Sequence, residues 1–135
     1  MAVDGTSVFW ARTAAVAVGG AFGAVGRYWI SGWVSRIVAP SLFPWGTLAV
    51  NVTGSLVLGL FIGATAFGRL AVSPNLRALV AIGALGAFTT FSTFAYEILE
   101  ALRVGEIRGA LLNIGASLAV GLAACWIGLA LGQRM

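Results

Sequence analysis

Long apolar stretches alternate with short polar breaks along this chain. Trp45 to Phe67, Ala78 to Tyr96 and Gly109 to Leu131 carry no charged residue. Each reaches or nearly reaches the ~20 residues that cross about 30 Å of hydrocarbon as a helix. The first apolar run, Thr13 to Gly26, is flanked by Arg12 and Arg27 and is too short to span alone. Its apolar character resumes after Arg27 and continues through Tyr28, Trp29 and Ile30 to Trp33. The pattern predicts an all-α integral membrane protein. Four transmembrane helices lie over about 8–33, 45–67, 78–100 and 109–131, in one domain spanning 1–135. Pro40 and Pro44 punctuate the first break, Ser73-Pro74-Asn75 the second and Gly105 the third. Trp10, Trp29, Trp33, Trp45 and Trp126 lie within a few residues of segment ends, the depth at which amphipathic rings concentrate.

Composition agrees. The chain is 60% hydrophobic and 9% charged, whereas soluble domains carry roughly 25% charged residues. So few charges cannot cover a water-facing surface. Arg12 before an apolar run resembles a secretory signal, but its removal would leave no soluble protein to export. The 19 glycines suit close helix packing in lipid. No basic run is present to neutralise a phosphate backbone, which argues against nucleic acid as a partner. There is no His and a single Cys, Cys125, so neither an intrachain disulfide nor a transition-metal site is expected.

The eight basic residues are all Arg, and their placement is informative. Four spans put Arg12, Arg69, Arg77 and Arg134 on one side, and Arg27, Arg36, Arg103 and Arg108 on the other. The positive-inside rule needs a bias to choose an orientation, and none is present. The tie points to insertion both ways and an antiparallel homodimer; the competing reading is an accidental balance. Arg27 falls inside the end of the first helix, where it must snorkel or face protein.

The third segment is unlike a simple lipid span. Gly83 to Tyr96 reads G-A-L-G-A-F-T-T-F-S-T-F-A-Y, with Thr89, Thr90, Ser92 and Thr93 among three phenylalanines. Gly83 and Gly86 are poor helix formers, and the hydroxyls compete for backbone groups. Together they predict a break near the middle of this helix that frees carbonyl oxygens for a cation. A continuous helix with hydroxyls bonded one turn back is the alternative. Phe91 and Phe94 are three apart and share a helix face. Their ring edges carry partial positive charge and suit a small anion, although ordinary packing produces the same spacing. Asn51 is either an anion donor or interhelical glue, and Asn113 and Ser117 form a second polar face. Glu97 and Glu100 read as a solvated helix end. No catalytic constellation is present, so an enzyme is not expected.

These motifs resemble the Fluc (CrcB) fluoride channels. The likeness rests on Gly19-Gly20-Ala-Phe-Gly23-Ala-Val-Gly-Arg27-Tyr28, Trp45-Gly46-Thr47-Leu-Ala-Val-Asn51-Val-Thr-Gly54-Ser55, Gly83-Ala-Leu-Gly86-Ala-Phe-Thr89-Thr90-Phe91-Ser92-Thr93-Phe94 with Glu97, and Asn113-Ile-Gly-Ala-Ser117. The resemblance implies a dual-topology homodimer in the inner (plasma) membrane. It implies two fluoride pores per dimer and passive fluoride export that protects the cell. It also implies a structural sodium (Na+) held by the backbone carbonyls of Gly86 and Thr89. Phe91 and Phe94 would line the pore, with Asn51, Ser92, Thr93 and Ser117 along a polar track and Arg27 near a vestibule. Rival readings are a small dual-topology multidrug/proton antiporter and a non-transporting membrane anchor subunit. The antiporter needs an acidic residue in its first span, and 8–33 has none. The anchor leaves the hydroxyl-aromatic string unexplained.

Overall fold

A computed structural model describes residues 5–38, 41, 43–66 and 70–135. Every regular element among the described residues is helical. Four segments are long and apolar enough to cross a bilayer: Gly5–Ile37, Trp45–Ala66, Pro74–Arg103 and Ile107–Gly132. The first (α1, Gly5–Ile37), second (α2, Trp45–Ala66) and last (α6, Ile107–Gly132) are continuous. The third is composite: α3 (Pro74–Arg77), a π-helical stretch (Ala78–Leu85), a single turn α4 (Gly86–Phe88) and α5 (Phe91–Arg103). The π-helical stretch was not foreseen from sequence.

The helices extend past the ends expected from the apolar pattern. At 1.5 Å per residue, the 33 residues of α1 make a rod of about 50 Å, longer than the hydrocarbon is thick. Its last turns carry Arg36 beyond the apolar region. Phe67, the expected end of the second span, and Arg69, counted in the charge balance, lie outside the described residues. Ser73 starts the third segment: its side chain accepts from the Leu76 N–H at 3.1 Å, and Pro74 occupies the first helical position. Gly105 makes the α5–α6 turn with φ +85°, a conformation that a side chain disfavours.

Packing depends on small residues. Helix α2 lies along α6, where a methyl on Gly59 would sit 2.1 Å from the Cys125 carbonyl oxygen and one on Gly128 2.1 Å from that of Leu56. Only glycine lets these backbones approach so closely. The same contact joins α1 to the π-helical stretch through Gly19 and Gly23, facing Leu79 and Ala84. Buried apolar side chains are correspondingly small: Val50, Ala64, Ala78, Ala110 and Ala124, with Phe94 the large exception. Large apolar side chains such as Trp10, Phe22 and Leu122 point outward, the arrangement a lipid-facing surface permits.

Candidate functional site

The third span breaks at Thr89–Thr90. Thr89 (φ −82°, ψ 158°) and Thr90 (φ −149°, ψ 119°) are both extended, between α4 and α5. The expected break is therefore present, and of its two inferred causes the hydroxyls act and the glycines do not. Gly86 keeps helical angles (φ −65°, ψ −34°), and Gly83 serves packing, since a methyl there would lie 2.6 Å from the Val16 carbonyl oxygen. Hydroxyl and amide side chains, rather than glycine flexibility, redirect the backbone.

Two diverted N–H groups make the break. In an unbroken helix the Thr90 N–H would donate to the Gly86 carbonyl; here it donates to Asn51 Oδ1 at 2.8 Å. Asn51 Nδ2 returns a bond to the Thr90 carbonyl at 3.0 Å. The Thr93 N–H would likewise donate to the Thr89 carbonyl, but it meets Thr90 Oγ1 at 3.2 Å, where Thr90 caps α5. The carbonyls of Gly86 and Thr89 thus both lose their ordinary helical donors. Gly54 gives Thr89 its room: a methyl there would lie 2.4 Å from Thr89 Cγ2 and 3.1 Å from Phe88 Cδ1.

Two cavities, mainly apolar but carrying polar groups, flank this break. One, of about 270 Å³, is lined by Asn51, Thr89, Thr90, Phe91, Phe94 and Ser117, with Ser55 beside them. The Phe91 and Phe94 ring centroids are 5.9 Å apart and inclined at 51°. Phe94 is buried at 8% exposure, whereas Phe91 is 79% exposed at the cavity mouth. Ser117 donates to Asn113 Oδ1 at 3.0 Å, and Asn113 is itself buried. Asn51 combines both readings of its amide: it ties α2 to the break and lines this cavity.

The other cavity, of about 250 Å³, is lined by Arg27, Tyr28, Ser31, Thr47, Thr90 and Thr93. Arg27 is partly buried there and makes no ion pair with any described residue. Its charge instead faces hydroxyl groups. Ser92 and Thr93 are exposed on the single chain, and Thr93 Oγ1 accepts from the Thr90 hydroxyl at 3.0 Å. The predicted residues therefore divide: Asn51, Thr89, Phe91, Phe94 and Ser117 meet in one cavity, and Arg27 and Thr93 in the other. Gly86 and Ser92 line neither.

Glu97 corrects an expectation. It is no solvated helix end: it is partly buried, its Oε1 accepts from the Thr47 hydroxyl at 2.5 Å, and its Oε2 is buried without a partner among the described residues. Glu100 does fit the surface reading, pairing with Arg103 at 3.4 Å. Sequence reasoning placed Thr90 only among the hydroxyls that compete for backbone groups, and it gave Thr47 and Ser55 no individual role. A Thr three residues before Thr93 and one before the new helix is a capping signal that points to Thr90.

Comparison with known proteins follows the same lines. Residues 14–129 match the model of the CrcB-like, camphor resistance (CrcB), family. The chain is 46% identical over 117 residues to the fluoride-specific ion channel FluC 1 of Symbiobacterium thermophilum, covering 87% of this chain and 94% of that protein. It is 46% identical over 121 residues to FluC of Geobacter sulfurreducens (90% and 96% covered). For FluC of Methanopyrus kandleri the figures are 45% over 117 residues (87% and 86% covered).

Proposed function

The chain belongs to the CrcB-like family, and from that premise we infer that it is a fluoride-specific ion channel of the plasma membrane, not an enzyme. The observation that carries the reading is the cavity in which the Phe91 and Phe94 rings, the Asn51 amide and the Ser117 hydroxyl converge beside a broken helix. Fluoride is small and strongly hydrated, so a path must replace water with donors. Asn51 Nδ2 carries two hydrogens and commits one to Thr90, leaving one to offer. Ring edges add weak positive potential, and weak contacts in series let an ion leave as readily as it enters. A membrane potential negative inside drives an anion outward with about 2.3 kcal/mol per 100 mV. Passive export therefore needs no coupled proton, and α1, Gly5–Ile37, carries no acidic residue of the kind an antiporter uses.

The channel works as two oppositely inserted copies with two pores. The even placement of arginines supports dual insertion. The exposed Ser92 and Thr93 support a protein partner, because hydroxyls at bilayer depth require protein or water around them. A structural sodium fits the donor set: the Gly86 and Thr89 carbonyls are among those that the break leaves without helical N–H partners, and neutral carbonyl oxygens suit a hard monovalent cation. Held by the Gly86 and Thr89 carbonyls, such an ion would add positive charge near the anion path.

The test is a fluoride electrode in a suspension of fluoride-loaded proteoliposomes. Rapid efflux, independent of a proton gradient, is expected; efflux that requires such a gradient, or none at all, overturns the reading. Termini labelled from both faces of the bilayer are expected for the dimer, and labelling from one face alone excludes it.

A further inference from the structure

Thr90 lines both cavities, and it is the residue they share. On the side of Phe91 and Phe94 lies the aromatic cavity; on the side of Arg27 and Thr47 lies the cationic one. Resting on the channel reading, we propose that the two cavities are consecutive parts of one anion path and that Thr90 is the constriction between them.

Three observations carry this. Thr90 is buried at 8% exposure, so its side chain occupies space between the cavities that no solvent fills. Its backbone is pinned by Asn51 at both N–H and carbonyl, so the partition cannot drift. Its hydroxyl is a movable donor. At rest it donates to Thr93 Oγ1 at 3.0 Å, with Ser92 Oγ at 3.4 Å. That arrangement leaves the Thr93 proton free to point into the Arg27 cavity, which Thr93 lines. An anion among the aromatic rings attracts the Thr90 proton instead, and the bond to Thr93 is exchanged for one to the ion. Rotation of one hydroxyl then passes the anion from one set of donors to the other, while the methyl group limits the width of the opening.

The methyl and the hydroxyl have separable effects. Thr90→Ser keeps the helix cap and the donor but removes the methyl. Thr90→Val keeps the outline of the side chain but removes the donor and, with it, the acceptor that caps the Thr93 N–H. Fluoride efflux from proteoliposomes is expected to rise about threefold or more in Thr90→Ser, because the constriction widens. In Thr90→Val it is expected to fall by about tenfold or more, because an ion loses its donor at the narrowest point. Thr90→Ser retains the cap and so remains informative even where Thr90→Val fails to assemble. Wild-type efflux with Thr90→Ser unchanged or slower overturns the constriction. Absence of wild-type efflux in the same vesicles overturns the channel reading itself, a separate outcome.

Discussion

The Asn51 carboxamide and the Thr90 backbone form a reciprocal hydrogen-bonded pair, N–H to Oδ1 at 2.8 Å and Nδ2 to carbonyl at 3.0 Å. The amide imitates a neighbouring β-strand across one residue and holds the chain extended where a helix would otherwise run on. It joins α2 to the third span at the point where the backbone leaves its ladder.

Replacing Asn51 by Asp tests this pair. The new oxygen faces the Thr90 carbonyl, turning a bond into a repulsion, and a negative charge enters the aromatic cavity. The loss of stability is expected to be about 1–3 kcal/mol, seen as a lower melting temperature in detergent. Fluoride efflux is expected to stop; retained efflux would place Asn51 away from the path.

Phe91→Ile separates function from folding. The ring is 79% exposed on the single chain, so its loss leaves the packed interior of each copy intact. Efflux is expected to fall to the protein-free background while the protein elutes at an unchanged size. Unchanged flux would remove the aromatic edge from the mechanism.

Gly54→Ala probes the space beside the break. Its methyl would meet Thr89 Cγ2 at 2.4 Å, and Phe88 blocks retreat at 3.1 Å. Overpacking of this kind costs about 1–3 kcal/mol. The displaced Thr89 carbonyl is expected to weaken sodium-dependent stability as well. Melting curves in sodium and in N-methylglucamine would then differ less for the variant than for the wild type.

Thr47→Val removes the hydroxyl that donates to Glu97 Oε1. With Oε2 already lacking a partner, both carboxylate oxygens would then be without one. A loss of about 1–3 kcal/mol is expected in thermal melting. A variant as stable as the wild type would mean that water supplies Glu97.

Much of this was legible in one dimension because lipid is a demanding solvent. Charge-free runs of membrane length left few alternatives to helices, and the hydroxyl string in Thr89 to Thr93 marked an irregular span. Other features depend on where a second segment lies. That Asn51 would meet Thr90, 39 residues away, follows from how α2 packs on the third span. That Glu97 would turn inward follows from Thr47 on the neighbouring helix.

Sequence alone determined the solvent, the number of spans and the span that would be irregular, because these depend on composition and local order; its motifs carried the resemblance to the family. Tertiary structure decided where the break falls, which carbonyls it releases and how the polar residues divide between two cavities. The reason is physical. An N–H leaves its own helix only when another segment offers an acceptor at the right distance, and that distance exists only once α2 and the third span are side by side.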